Sequence, residues 1–465
     1  MVRADKPHRR TIFVCQQCGK ESLKWLGRCP SCQQWNSFVE QAVVTPTTSP
    51  SSSSLSNLPQ ELSQLELVAA DRFTLPLAEF NRVLGGGLVS GSLILISGDP
   101  GIGKSTLLLQ VSALIAQAQG KVVYVSGEET QHQIKLRSER LGISGEKLYL
   151  MAETDLEAIL SQIEQLKPSL VVIDSIQAVY LPELDTGAGS VTQVRECTLR
   201  LMHWAKQNSI PTFIAGHVTK DGAIAGPRVL EHIVDVVLYL EGEPFSAYRL
   251  LRSVKNRFGS TNEVGVFEMK SKGLIEVDNP SLAFLSQRGD ETIGSVIIPT
   301  LEGTRPLLVE VQALTNPTSF GLPRRTANGI DFGRLLIITA VLTRRLGLKL
   351  GNQDIIANVT GGIKVSEPAA DLGVALAIAS SSRDIGVDPQ LIAVGEVGLS
   401  GELRAVSQLD RRVDEAVRLG FKRCLVPKVN ARISAPKGIE LIPASTLREA
   451  IGVGLVRGKP RNRAD

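Results

Sequence analysis

The sequence predicts an α/β protein in three parts: an N-terminal zinc ribbon, a phosphate-loop core with a parallel-rich sheet, and a C-terminal α+β domain. Three observations predict it. Two Cys-x2-Cys pairs stand ten residues apart near the start of the chain. A glycine-rich loop ending in Lys-Ser-Thr follows a short apolar strand and precedes an apolar, helix-forming run. Strand and helix patterns then alternate until about Asp278, where the pattern changes character.

With 465 residues, the chain suits two or three domains, and its 43% hydrophobic content is ordinary for a globular protein. A net charge of +4 does not by itself argue for nucleic acid, and only 4% of residues are aromatic, so base-stacking platforms must be sparse. No run of eighteen apolar residues occurs, so no membrane partner is expected. The opening MVRADKPHRR is basic but no apolar signal core follows it, which gives a cytoplasmic expectation.

Residues 1–40 form the ribbon. Cys15, Cys18, Cys29 and Cys32 supply four thiolates, the closed tetrahedral shell of a structural zinc. A redox pair would come singly, against a strand–helix unit that is absent here. Trp25 and Trp35 are expected to pack this small module. Cys197 and Cys424 lie far away in apolar surroundings and read as core residues. Residues 41–70 include TPTTSPSSSSLSN and read as a flexible serine-rich linker.

Residues 71–278 form the core. After a strand at 92–97 come Gly98, Asp99, Pro100, Gly101, Ile102, Gly103, Lys104, Ser105 and Thr106. Glycines let backbone N–H groups turn toward phosphates, and the following helix adds its positive end. Lys104 is expected to bridge the β- and γ-phosphates of ATP, with Ser105 on magnesium. The strand at 121–126 ends in Gly127-Glu128-Glu129, and LVVID ends in Asp174, suited to support magnesium through water. Glu128 is the candidate base that orients attacking water, with Glu129 its alternative. Thr186–Ser190 and the segment 219–228, which follows a strand ending at His217, are small loops suited to track a phosphate backbone. Lys255 and Arg257 of Lys-Asn-Arg-Phe-Gly follow a strand at 248–254 and form either an arginine-finger pair or a plain basic turn.

Taken in this order, the ribbon, the serine-rich tether, RVLGGGLVSGSLILISGDPGIGKST, SGEE, LVVIDSIQ and KNRFG resemble the RadA (Sms) family of recombination proteins, over essentially all of residues 11 to 455. The resemblance implies a RecA-like ATPase fold and homo-hexameric rings with ATP at the subunit interfaces. It implies binding of single-stranded and branched DNA, translocation and branch migration beside a RecA-type strand-exchange protein, and a nucleoid-associated location. It also makes His217 a γ-phosphate sensor, and Lys255 and Arg257 groups that act across the interface and couple ATP to DNA.

Residues 279–455 resemble the Lon protease domain, and 456–465 read as a disordered tail. The Gly-Pro-Ser-Ala-Gly element of those proteases reads Glu367-Pro368-Ala369-Ala370-Asp371 here, with alanine at the serine position. By the same match Asp410 replaces the activating lysine. A Ser–Lys dyad needs a hydroxyl and an amine, so the domain is expected to lack proteolysis and to serve assembly. Arg324, Arg325, Arg344, Arg345, Lys349 and Arg404 are its candidate contacts to duplex DNA. Two other readings stand beside the DNA motor: an ATP-dependent protease, which lacks its dyad, and a regulatory ATPase of the circadian-clock type, which acts on proteins only.

Overall fold

The computed structural model describes residues 10–43, 61, 63, 72–217, 229–242, 246–285, 293–318, 321–430 and 436–455. Most of the linker, the loop 219–228 and the tail lie outside these. The chain divides into two compact units, with residues 242–249 and 262–268 grouped with 277–465 and the rest in the first.

In the first unit, β1 (Arg10–Cys15) pairs antiparallel with β2 (Glu21–Ser22) and β3 (Phe38–Val43). Cys15, Cys29 and Phe38 make up its small core. Trp25 and Trp35 do not pack it: they are 52% and 69% exposed. So short a module closes its core with the four cysteines, Phe38 and Phe13, which leaves no interior for two indoles. Trp35 instead carries the Arg28 guanidinium over its ring at 5.6 Å.

Next come β4 (Arg72–Phe73), α1 (Ala78–Leu84) and β5 (Leu88–Val89). The main sheet begins with β6 (Leu93–Gly98), continued by α2 (Lys104–Gln119), β7 (Val122–Ser126), α3 (Gln131–Arg140) and β8 (Leu148–Ala152). Then follow α4 (Leu156–Leu166), β9 (Leu170–Asp174), α5 (Val191–Asn208), β10 (Thr212–His217) and β11 (Val236–Glu241). The run closes with β12 (Tyr248–Asn256), β13 (Val264–Lys270) and β14 (Gly273–Glu276). The strand order is β14-β13-β12-β11-β6-β10-β9-β7-β8. Pairing is parallel from β11 through β8, and β12 joins antiparallel. β6, β7 and β9 are buried along their whole length, which is why they read as continuous apolar runs rather than alternating ones. Helices α3, α4 and α5 start on Thr130, Asp155 and Ser190, whose side chains accept from backbone N–H groups of the first turn.

The continuous part of the second unit, from Val277 on, begins with the short α6 (Pro280–Leu285). Its seven-stranded sheet holds β15 (Ser295–Glu302) and β16 (Arg305–Pro317) as a long antiparallel pair, with β18 (Gln353–Val359) on β16 and β17 (Arg325–Asn328) beside it. On the other side of β15 lie β19 (Leu391–Ala393), β22 (Arg423–Pro427) and β23 (Glu440–Ala444), all parallel. Between β19 and β22 in the chain, β20 (Glu396–Val397) and β21 (Leu403–Arg404) pair antiparallel by themselves. Around the sheet run α7 (Phe332–Leu346), α8 (Asp371–Arg383) and α9 (Leu409–Arg418). No helix among the described residues is long and apolar enough to cross a membrane.

Candidate functional site

The phosphate loop joins β6 to α2. Gly98, Gly101 and Gly103 have φ of +150°, +76° and +117°, a region that L side chains rarely adopt. A Cβ on Gly98 would stand 2.3 Å from the Leu240 carbonyl oxygen of the neighbouring strand, and one on Gly103 would stand 2.8 Å from Met269 Cε. Positive φ favours glycine at all three positions, and at Gly98 the neighbouring backbone leaves no room for a side chain either. Lys104, at the first turn of α2, is 4% exposed. Its Nζ donates to the carbonyls of Gly98 at 2.8 Å and Asp99 at 3.0 Å. Burial lowers its pKa, opposed by the charges of Asp174, Asp99 and Glu128. This loop and lysine suit a triphosphate: open backbone, a helix N-terminus and a desolvated cation.

Opposite the loop, β7 and β9 run parallel with Ser126 beside Asp174. The Tyr124 hydroxyl donates to Asp174 Oδ2 at 2.5 Å, and the Ser175 hydroxyl donates to Glu128 Oε1 at 2.5 Å. The peptide between Asp174 and Ser175 is cis. Gly127 is what allows the approach, because a Cβ there would lie 2.4 Å from Ala178 Cβ. The two adjacent glutamates part company: Glu129 is ion-paired with Arg137 and its N–H bonds Ser126 Oγ, whereas Glu128 faces solvent beside Asp174 and the lysine. No motif in the sequence marks Tyr124, Ser175 or Arg137; the one trace is a tyrosine inside an otherwise apolar strand.

His217 ends β10 directly opposite Gly98. Lys255 and Asn256 lie within β12 rather than after it. Lys255 Nζ donates to the carbonyls of Glu231 at 2.7 Å and Val234 at 2.8 Å, and Arg257 bonds Asp235 at 3.3 Å. Burial and the Arg257 charge lower the pKa of Lys255. Asp235 is 2% exposed and also accepts from the N–H of Leu93, the first residue of β6, and from Lys206. Asn256 donates to the Leu84 carbonyl at 3.2 Å, and Arg72 to that of Phe258 at 2.8 Å. The motif thus sets Lys255 against the carbonyls of residues 231–234 and places Arg257, its side chain 50% exposed, beside Asp235.

The four ribbon cysteines bring their sulfurs within 4.8 Å of one another, with Cys15–Cys32 at 3.6 Å and Cys18–Cys29 at 3.5 Å. A tetrahedral zinc with roughly 2.3 Å bonds sets sulfurs about 3.8 Å apart, so the set fits that metal. The two pairs repeat one geometry: Gly19 N–H bonds the Cys15 carbonyl and Gln33 N–H the Cys29 carbonyl, each at 2.9 Å and each with positive φ. Burial would raise the Cys29 thiol, but the N–H groups of Cys32 and Ser31, together with the Cys18 and Cys15 side chains, bring it down to about 6. Cys197 and Cys424 are fully buried, and burial pushes the Cys197 thiol up to about 12, so neither is a nucleophile.

In the second unit Ala369 is buried and Asp410 is exposed on the first turn of α9. Between Glu367 and α9 runs a bidentate ion pair instead: Arg412, 1% exposed, meets Glu367 at 2.8 and 2.6 Å and the Pro299 carbonyl at 2.6 Å. Of the basic candidates, Arg325 donates to the Leu350 carbonyl and Arg404 pairs with Glu402 and Glu396.

A phosphate loop on a parallel sheet, with acidic residues at the neighbouring strand ends, defines a RecA-like ATPase core. A zinc ribbon precedes it and a Lon-like domain follows. Models of the AAA domain, the rubredoxin metal-binding domain and the ChlI subunit of Mg-chelatase match residues 59–223, 13–40 and 320–430. DNA repair protein RadA of Halalkalibacterium halodurans is 52% identical over 97% of this chain and 99% of its own. RadA of Bacillus subtilis is 53% identical over 96% and 99%, and that of Listeria monocytogenes 52% over 96% and 98%. The chain belongs to the RadA family of DNA repair proteins.

Proposed function

We propose that this protein is a DNA-dependent ATPase that translocates on single-stranded DNA and promotes branch migration of recombination intermediates, as a homo-hexamer working beside a RecA-type strand-exchange protein. The observation that carries the reading is the anchoring of Lys255 and Arg257 on residues 231–235. Asp235 ties that segment to the start of β6, whose other end is the phosphate loop, and β10 runs alongside to His217 opposite Gly98. Nucleotide state therefore has a short covalent and hydrogen-bonded route to both cations and to the loop after His217.

Lys104 holds the β- and γ-phosphates once it exchanges the Gly98 and Asp99 carbonyls for them, an exchange favoured because a buried ammonium gains anionic partners. Ser105 and Asp174 would hold magnesium, which neutralises charge on the phosphates. Glu128 orients the attacking water, and Glu129, held by Arg137, does not. His217 senses the γ-phosphate. Lys255 and Arg257 reach the nucleotide of the adjacent subunit, and the loops 186–190 and 219–228 face DNA. The zinc is structural.

The test is ATP hydrolysis by the full chain with and without single-stranded DNA, for the native protein and for Lys255→Ala and Lys104→Ala. The expected result is DNA stimulation that falls steeply with salt, is lost in Lys255→Ala, and has no hydrolysis left to stimulate in Lys104→Ala. A rate indifferent to DNA would overturn the motor and favour the protein-only ATPase. Retained turnover in Lys104→Ala would overturn the site itself.

A further inference from the structure

We infer that Ser175 is the positioning residue of the ATPase centre: its hydroxyl fixes the Glu128 carboxylate in the place from which it acts on water. The inference rests on the reading of Glu128 as the water-orienting group and adds the residue through which the fold holds it there.

Glu128 by itself is a poor candidate for precise placement. It is an exposed side chain two residues past the end of β7, where a glutamate has several rotamers open to it. Ser175 is the opposite, with no exposed surface. Its backbone is fixed on both sides, because Asp174 ends β9 and the Ser175 carbonyl accepts from Ala178 N–H at 3.1 Å. The next residue is tied as well, with Ile176 N–H bonded to the Ala215 carbonyl of β10 at 3.0 Å. A rigid buried donor 2.5 Å from one carboxylate oxygen, Oε1, removes much of the freedom of the glutamate.

The local sequence is built for this contact. Gly127 leaves no side chain between the β7 end and the 175–178 turn, and its N–H bonds the Asp174 carbonyl at 3.1 Å. Arg137 and the Ser126 hydroxyl hold Glu129 separately, so the neighbouring carboxylate does not compete for Ser175. The arrangement is reciprocal. A hydroxyl on β7 grips the carboxylate that ends β9, and a hydroxyl just past β9 grips the carboxylate just past β7. Position therefore passes between the metal-supporting and water-orienting groups through two strands already paired in register. Misplacing a catalytic group by about 1 Å costs on the order of 100-fold in rate, which sets the scale of the effect.

The experiment is a double-mutant cycle on the full-length protein, measuring kcat and KM for ATP and the affinity for a fluorescent ADP analogue. The variants are Ser175→Ala, Glu128→Gln and the pair together. Ser175→Ala is expected to lower kcat about 10- to 100-fold with KM and ADP affinity changed less than about threefold. In the Glu128→Gln background the same substitution is expected to cost nothing further, since there is no carboxylate left to hold. Ser175→Cys, close in volume but only a weak donor, is expected to fall between. Equal loss in both backgrounds, or loss that follows nucleotide affinity, would assign Ser175 a merely structural part and overturn the inference. Native turnover in Glu128→Gln would remove the reading of Glu128 itself, a result visible without any serine variant.

Discussion

Tyr124 of β7 and Asp174 of β9 are joined inside the sheet by a hydrogen bond of 2.5 Å from phenol to carboxylate. Both groups are buried, and the tyrosine has no exposed surface. Burial first, and then the Asp174 charge, raise the tyrosine pKa well above 10. A buried carboxylate beside a phosphate site needs such a donor, because an unpaired charge there would be costly.

Tyr124→Phe removes the donor and leaves the carboxylate less well solvated, so a stability loss of about 1–3 kcal/mol is expected near neutral pH. The pH dependence has a definite sign. The folded pKa lies above the unfolded one, so the contribution is complete below about pH 10 and is lost as pH rises beyond it, where the unfolded chain releases the phenol proton first. Denaturant titrations of both proteins between pH 8 and 11 should therefore show the difference shrinking only on the alkaline side. A gap that stays constant to pH 11 would show that the hydroxyl proton plays no part.

Gly127→Ala places a methyl 2.4 Å from Ala178 Cβ, closer than real side chains approach. The turn must open, at roughly 1–3 kcal/mol for overpacking. Opening it carries Glu128 away from Ser175, so turnover should fall by more than the melting temperature suggests. Comparing kcat with the melting midpoint checks this; a stable, fully active variant would mean that the strand ends have more room than the backbone spacing gives them.

Much of this architecture is legible in the residues themselves. β6, β7 and β9 announce themselves as apolar runs ending in a glycine loop, a Gly-Glu-Glu and an aspartate, and the fold places those ends side by side. The ribbon cysteines are legible because spacing alone determines a closed shell. The cross-strand hydroxyls are not, because which oxygen meets which carboxylate depends on register, which the sequence does not display. Nor is the different setting of Glu128 and Glu129, because the Arg137 that pairs with Glu129 comes from two turns into α3. Trp25 and Trp35 mislead in the other direction: size suggests a core role, but the ribbon has no interior to receive them.

Metal removal should act on the ribbon. Its core is the cysteine cluster with Phe38 and Phe13, too little apolar surface to hold β1 to β3 without the ion. One zinc per chain is expected by elemental analysis, and chelation should abolish amide exchange protection across residues 13–39 while β6, β7 and β9 keep theirs. Protection that persists in the ribbon after the metal is gone would show that the hydrogen-bonded knuckles suffice alone.

In the Arg412–Glu367 pair the arginine is 1% exposed and the glutamate 24%, which makes rupture of the pair asymmetric. Glu367→Ala leaves a guanidinium 1% exposed without its anion, for an expected loss of about 3–5 kcal/mol. Glu367→Ala with Arg412→Leu removes both charges and should recover a large part of that loss. A denaturant midpoint of the double variant no higher than that of the single one would mean that the Pro299 and Ser407 carbonyls, which Arg412 also serves, carry the contact.

Restoring a serine does not restore a protease. Ala369→Ser would put a hydroxyl at a buried position next to Pro368, but nucleophilic attack needs a base to take its proton. Asp410 is exposed on α9 and offers no amine. The charged groups at this turn are paired, Glu367 with Arg412 and Asp371 with Arg334. The variant is therefore expected to leave casein and short fluorogenic peptides uncut, with or without ATP, over incubations long enough to detect very slow turnover. Cleavage by the variant that the native protein, with its alanine, does not show would mean that a base reaches this position by a route the ion pair does not block.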